Sequence, residues 1–486
     1  MATPKTNPGA ATFYDNDRLA PIASESGKTV RLTADFSKPV RPMGKQNGTN
    51  NGPLHTHHDE TEAFLDMGVD FVRFHETHSP YAKCIEVPYI FRNFDADEND
   101  PANYFFDETD AVITAAVKAG CEIMYRFGMG TESTEPRLYC LVPKDYEKWA
   151  RIVIHILRHY NEGWANGFHY GIRYVEIWNE ADLYEYWPGP QREYTKFYCV
   201  TSKMIKAYDP NLLISPSGFA SVFHLPHNPK LKFKERPAGT KKGRIHTGKH
   251  GWSKEERGQF FRDFMETVIA EKAPMDYFSW HYYGNSSLSA KTRVDAVVGL
   301  LKEYGFGDLE HINTEWSCVH LKRDANGRWD RSQRDTMKSA IGVLSTMLVF
   351  QNAGTTKSAY YDADSRSEFF GALTDFTHKP RNHYHSLKAF KLLRRGETEC
   401  ETTGETDNVR VCAAGNGKEH WVCVTCEDAD TKISLKPAGI EACKVRWWLL
   451  DETHKLEVVR TGRFNGRAIP MKLEANSAVL LEFLAE

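Results

Sequence analysis

The stretch Arg173-Tyr-Val-Glu-Ile-Trp-Asn-Glu-Ala-Asp182 decides how this chain is read. Tyr174, Val175, Ile177 and Trp178 are β-branched or aromatic, and no Gly or Pro interrupts them, so the stretch opens as a β-strand. It ends in Asn179-Glu180, an amide beside a carboxylic acid where strand passes into loop. In an α/β barrel that is where reactive side chains sit.

Outward from this stretch the chain alternates strands with helices. Strands are read at 41–47, 70–75, 122–127, 212–215, 277–281, 311–315 and 357–362, with the opening stretch fourth among them. Helices are read at 59–67, 107–118, 144–160, 192–208, 253–271, 289–304, 331–351 and 382–393. Eight such alternations predict a (β/α)8 TIM barrel over 41–395 rather than an open sheet. Residues 226–250 form a basic insertion with Pro and Gly and no periodicity, read as a long loop over the barrel mouth. After about residue 396 the rhythm changes to short strands at 409–413, 421–425, 431–435, 444–450, 456–459 and 478–483. These predict an all-β sandwich over 396–486. A strand at 28–40 precedes the barrel and is expected to pair with that sheet, after a poorly ordered lead-in at 1–27.

Composition bounds the function. Hydrophobic content of 41% and charged content of 26% are those of a globular protein with a large core. A net charge of −3 argues against a nucleic-acid partner, which would call for a basic stripe. No apolar run approaches the ~20 residues needed to span a bilayer, so no membrane partner is expected. Residues 1–28 hold no signal-peptide core; the protein is expected in the cytoplasm, or in the periplasm or outside the cell if a leader has been removed. Homo-oligomerisation is left open. Cys423 and Cys426 form a C-x-x-C inside a strand-like run without a second pair at zinc spacing, so the ten Cys are expected as buried free thiols. His55-Thr-His57-His58 is completed by no carboxylate or Cys pattern, and neither a metal nor another cofactor is expected.

Two of the strands end in an acid: Trp178-Asn179-Glu180 and Asn313-Thr314-Glu315-Trp316. They are the fourth and seventh of eight, so their side chains can face each other across the mouth. A single strand-end Glu is more often a solvated loop residue. Two on one barrel suit glycoside hydrolysis, in which one carboxyl protonates the leaving oxygen and the other attacks the anomeric carbon or activates water.

Glu176-Ile-Trp-Asn-Glu180, with Asp182 and Trp187 behind it, resembles the acid/base motif of glycoside hydrolase family 39, which includes β-xylosidases and α-L-iduronidases. Phe71-Val-Arg-Phe-His75 resembles that family's second strand, Ser279-Trp-His-Tyr-Tyr283 its sixth and Asn313-Thr-Glu-Trp316 its seventh. Phe370-Gly-Ala-Leu-Thr374 with Lys379-Pro380 resembles the segment after its eighth. The resemblance implies a retaining, exo-acting enzyme on an oligosaccharide or glycoside, with Glu180 as acid/base and Glu315 as nucleophile. It also implies that His75 contacts a sugar hydroxyl and that Glu368 is a sugar-binding carboxylate. Tyr361 stands where the family's xylosidases carry Trp, and Ala181 where the family carries Pro.

Physical reasoning places the neighbours. Asn179 can donate its amide to the hydroxyl beside the anomeric carbon. His281 and Tyr283 share one strand face, and Tyr283 can hold the Glu315 carboxylate. Arg73 and Glu176 are expected to pair inside the barrel, because buried charges need partners. Tyr186 and Trp187 are expected to wall the site, and Trp316 to line it. β-Xylosidase is the nearest activity; α-L-arabinosidase, β-galactosidase and iduronidase-like activities use the same two acids. A carbohydrate-binding barrel without activity is the reading from another class, and it would need neither acid nor nucleophile.

Overall fold

The computed structural model describes residues 28–55, 58–74, 84–130, 140–183, 185–220, 254–318, 322–323, 329–330, 332, 334–363, 373–375 and 377–484. The 226–250 insertion lies outside them.

After β1 (Thr29–Pro42), eight parallel strands follow: β2 (Lys45–Asn50), β3 (Phe71–Phe74), β4 (Glu122–Phe127), β5 (Tyr174–Asn179), β6 (Leu213–Gly218), β7 (Tyr277–Gly284), β8 (Glu310–Cys318) and β9 (Lys357–Tyr360). Their order in the sheet is β6-β5-β4-β3-β2-β9-β8-β7. A parallel bridge from Phe219 to Trp280 joins the two ends and closes the barrel. The helices outside are α1 (Thr61–Met67), α2 (Asp107–Lys118), α3 (Tyr146–Glu162), α4 (Gln191–Tyr208), α5 (Lys254–Ala270), α6 (Ser287–Glu303), α7 (Met337–Ala353) and α8 (Asn382–Arg394).

Helix limits follow capping chemistry. In α3 the Asp145 side chain accepts from Lys148 N at 2.9 Å, and Gly163 ends the helix at φ 76°, where a Cβ would be strained. Between these caps Trp149, Ile152, Val153, Ile156, Leu157 and Tyr160 form one buried stripe at helical spacing. The helix read at 331–351 starts later, at Met337, because Thr336 is its N-cap. The first barrel strand likewise begins at Lys45, since Arg41 and Pro42 belong to β1.

Strand alternation stacks the barrel interior in layers. Phe71, Met124, Tyr174, Tyr277, Ile312 and Ala359 form one apolar layer. Above it lies a polar layer of Asn50, Arg73, Glu176, Ser279 and Thr314, which are hydrogen-bonded to one another. The opposite strand faces pack against the helices as the main core.

The second domain is one curled nine-stranded mixed sheet. Its strands are β1, β10 (Thr398–Thr403), β11 (Val409–Gly415), β12 (Glu419–Cys426), β13 (Thr431–Ala438), β14 (Cys443–Leu450), β15 (Lys455–Phe464), β16 (Ile469–Leu473) and β17 (Ser477–Leu484), in the order β15-β14-β17-β12-β11-β10-β1-β13-β16. β1 pairs antiparallel with β10 and parallel with β13. One face (Leu32, Val411, Val422, Val424, Leu435, Val445, Leu481) closes on itself as a separate core, which makes the sheet a sandwich. The other face (Cys412, Trp421, Cys423, Leu480) joins the barrel's core. Helix α7 lies between barrel and sheet, which is why it is apolar all round. All ten Cys are buried, and none forms a disulfide among the described residues. Among the described residues, no helix is long and apolar enough to cross a membrane.

Candidate active site

Strand β5 carries Glu180 into the mouth through an irregularity. Trp178 sits at φ 77° and Glu180 at φ 40°, conformations that L-residues adopt at a cost. Tyr174 and Glu176 face the interior. At Trp178 the alternation breaks: its ring packs outward among Trp149, Trp187 and Phe197, and Asn179 then turns inward. Trp178 Nε1 donates to Tyr186 O at 2.8 Å, which anchors the turn. Ala181 N–H donates to Ser217 Oγ at 3.2 Å, a bond that Pro at this position could not make.

Strand β8 carries Glu315 inward by a β-bulge. Its register against β7 shifts between Asn313 and Glu315, so Thr314 is the extra residue. Thr314 Oγ1 reaches Glu176 inside the barrel, and Glu315 beside it also faces inward. Trp316 is therefore turned outward. Its ring lies fully buried against Phe350 of α7 and Tyr360, so it packs the barrel–helix layer and does not line the site. Trp187 is likewise buried, against Trp178 and Phe197, and does not wall the mouth.

One carboxylate oxygen of Glu180, one of Glu315 and a ring nitrogen of His281 all lie within 4.8 Å of one another. His281 Nδ1 is hydrogen-bonded to Glu180 Oε1 at 2.8 Å and lies 3.7 Å from Glu315 Oε2. Tyr283 OH donates to Glu315 Oε1. Arg73 Nη1 donates to Glu315 Oε2 at 2.9 Å, its Nη2 to Asn179 Oδ1 at 2.7 Å, and its Nε to Glu176 Oε2 at 2.6 Å. The guanidinium thus does more than pair with Glu176: it holds Glu315 and orients the Asn179 amide. With Oδ1 bound to Arg73, Asn179 Nδ2 is buried and has no hydrogen-bond partner among the described residues.

The two acids differ in environment. Burial pushes Glu180 well above the usual carboxylate range, and the neighbouring Glu315 and Asp182 carboxylates add to the shift. Burial also raises Glu315, but Arg73 and the Tyr283 hydroxyl oppose it. Tyr283 therefore offsets the rise without bringing Glu315 below its ordinary value. Burial and the cations Arg73, Arg126 and Arg293 hold His281 well below its usual value, hence neutral. Both acids are raised, but only Glu315 has a cation and a hydroxyl donor that favour its ionised form, and such an inequality between two carboxyls is what acid/base chemistry uses.

Among the other expected residues, Tyr361 sets its ring edge-on to Tyr283 at 6.4 Å, and Tyr186 is half-buried on the β5–α4 loop. His75, Glu368 and the side chains of the His55–His58 cluster lie outside the described residues. Sequence reading passed over Asn50, which accepts from Arg73 Nη1 at 3.0 Å, and Gly218, where a Cβ would stand 2.0 Å from His281 Nε2. The signal for Gly218 was a glycine closing a barrel strand, which often marks close approach of another group.

Residues 65–302 match the family model for glycosyl hydrolases family 39. A β-xylosidase of Geobacillus stearothermophilus is 36% identical over 156 residues, 31% of this chain and only 23% of that protein. In fold, the chain resembles a glucosidase from Croceicoccus marinus (TM-score 0.72, 16% identity, 94% of this chain and 99% of that one). It also resembles a monomeric β-xylosidase from Caulobacter crescentus (TM-score 0.63, 14% identity, 94% and 99%) and an α-L-arabinofuranosidase from Thermotoga maritima (TM-score 0.65, 13% identity, 94% and 100%). The matched span includes the strands that carry Arg73, Glu180 and His281, so over residues 65–302 the chain is similar to glycosyl hydrolases family 39.

Proposed function

We propose that the protein is a retaining, exo-acting glycoside hydrolase of β-xylosidase type, acting on plant-type oligosaccharides through Glu180 as acid/base and Glu315 as nucleophile. The observation that carries this reading is the pair of carboxyls with oxygens within 4.8 Å, of which only Glu315 is hydrogen-bonded by the Arg73 guanidinium and the Tyr283 hydroxyl. Retaining enzymes hold their carboxyls about 5–5.5 Å apart, whereas inverting ones leave about 6.5–9.5 Å for a water. The 36% identity to a β-xylosidase supports the choice of sugar.

In the first step Glu315 attacks the anomeric carbon while Glu180 gives its proton to the departing glycosidic oxygen. The C–O bond breaks and a glycosyl–Glu315 ester forms. In the second, ionised Glu180 takes a proton from water, which attacks the same carbon and releases Glu315. Asn179 Nδ2 donates to the adjacent sugar hydroxyl, where hydrogen bonds strengthen as oxocarbenium character develops. Arg73 keeps the leaving carboxylate of Glu315 charged.

The test combines a panel of aryl glycosides with NMR of the first anomer released and mass analysis after a 2-deoxy-2-fluoro glycoside. Retention, with the adduct on Glu315, is expected. An inverted anomer would reject the mechanism. Sugar binding without turnover on any pentoside or hexoside would favour an inactive carbohydrate-binding barrel.

A further inference from the structure

The second domain meets the mouth side of the barrel at the start of α6. Strand β7, which carries His281 and Tyr283, ends at Gly284, and α6 begins at Ser287. The intervening turn is tightly tied. Tyr282 OH donates to Ser286 O at 2.9 Å and is hydrogen-bonded to Ser289 Oγ at 2.5 Å. Ser286 caps α6 by accepting from Ser289 N at 3.2 Å. A Cβ at Gly284 would stand 2.0 Å from Tyr282 OH, so this position admits only glycine. Arg293, two turns into α6, donates to His281 O at 3.3 Å and Ala220 O at 3.0 Å. Whatever holds the start of α6 therefore holds the mouth end of β7.

That hold comes from the sheet domain. Glu427, just after β12, is buried and accepts from both Ser287 Oγ and Ser287 N, the latter at 3.3 Å. Arg410 of β11, also buried, donates from Nε to Ser287 Oγ at 2.7 Å. Glu427 is itself fixed at both ends of its peptide unit: its N donates to Asn408 O at 2.9 Å, and its O accepts from Asn476 N at 2.7 Å. A carboxylate at a helix N-terminus is favourably placed toward the helix dipole. Ser287, which it holds, sits four residues along the chain from Tyr283, whose hydroxyl bonds Glu315.

The geometry points to Glu427 as a positioning residue for the Tyr283 hydroxyl, and through it for the Glu315 carboxylate, so that the sheet domain is a working part of the site. This rests on the two-carboxylate reading for the role of Glu315. The charged and titratable groups facing Glu315 include Arg73, Tyr283, His281, Glu180 and Glu176; those facing Glu427 include Arg410, Asp428 and the Cys318 and Cys426 thiols.

The experiment follows the carboxyl 13C titration of Glu315 in the full-length protein, assigned by difference from Glu315→Gln. Loosening the Tyr283 donor removes an interaction that favours the ionised form. Glu427→Ala is expected to raise the Glu315 midpoint by roughly one pH unit, with the acid limb of kcat/KM moving alongside. Ser287→Ala removes the other end of the same bond and is expected to act alike should Glu427→Ala fold poorly. Glu427→Gln, which keeps the acceptor for Ser287 Oγ, is expected to recover most of the effect. In a Tyr283→Phe background, Glu427→Ala is expected to add nothing. Ser345→Ala loosens the same domain interface elsewhere, at the 2.7 Å bond to Thr425 Oγ1, and is expected to leave the midpoint in place. An unmoved midpoint in Glu427→Ala and Ser287→Ala, an equal shift in Ser345→Ala, or a shift that adds to Tyr283→Phe would overturn the assignment. Turnover surviving in Glu315→Ala would instead sink the catalytic reading and leave the titration readable.

Discussion

Glu315 has a guanidinium nitrogen at 2.9 Å, whereas the neighbour of Glu180 at 2.8 Å is a neutral imidazole. Those two contacts set chemically alike side chains in different environments. The proposed mechanism requires Glu315 ionised and Glu180 protonated. Both are raised, Glu180 well above its ordinary value, so the active pH window lies above the usual carboxylate range. Its acid limb follows Glu315, and its alkaline limb follows loss of the Glu180 proton. Glu315→Ala should abolish turnover on every substrate. Glu180→Ala should cost least on a dinitrophenyl glycoside, whose leaving group needs no proton, and should erase the alkaline limb there; equal losses across leaving groups would reject the acid role. Gly218→Ala puts a methyl 2.0 Å from His281 Nε2 and should displace the imidazole from Glu180. A displacement of about 1 Å can cost on the order of 10²-fold in kcat, which steady-state kinetics on a poor leaving group would register.

At the scale of the element, two strand irregularities aim the site. Plain alternation along β8 would put Thr314 and Trp316 inward and Glu315 outward. The bulge at Thr314 reverses the last two. On β5, the positive φ of Trp178 does the same work for Asn179 and Glu180. Neither is visible as a residue pattern, because Thr and Trp are ordinary strand residues, and this is why Trp316 read as a site residue. Trp316→Ala should therefore behave as a core truncation. It is expected to lower stability by about 3–5 kcal/mol in denaturant unfolding while KM stays near the parent value at temperatures where the variant is folded. A raised KM with unchanged stability would return Trp316 to the substrate. Strand β16 escaped sequence reading for a different reason. Pro470 interrupts its pattern, and the strand is tolerated because it lies at the sheet edge.

For the whole molecule, the barrel and the sheet share one continuous core through α7 and α8, with a buried acid between them. Burial raises Glu427 to about 7, with Ser287 and Arg410 opposing. The folded state therefore binds this proton more tightly than the unfolded chain does. The associated stability is fully present below the ordinary Glu range, near pH 4.5, and is lost as pH rises through about 7. Compared with Glu427→Gln, the parent protein should lose up to about 3 kcal/mol over that interval in urea titrations at fixed temperature. Parallel pH dependences in the two proteins would assign the acid a different role.

Much of this was legible in order along the chain. Strand and helix periods, glycine stops and the two strand-end acids are local properties, set by side-chain shape and the period of each element. They identified the barrel, its eight strands and the pair Glu180 and Glu315 without any contact being known. Which neighbours face those acids was not local. Arg73 bridging Glu176, Asn179 and Glu315, Gly218 making room for His281, and Glu427 reaching Ser287 from another domain all join residues far apart in sequence. Only closure of the barrel, with a bulge in β8 and a left-handed residue in β5, brings them within hydrogen-bonding distance, because one inserted residue exchanges the two faces of a strand.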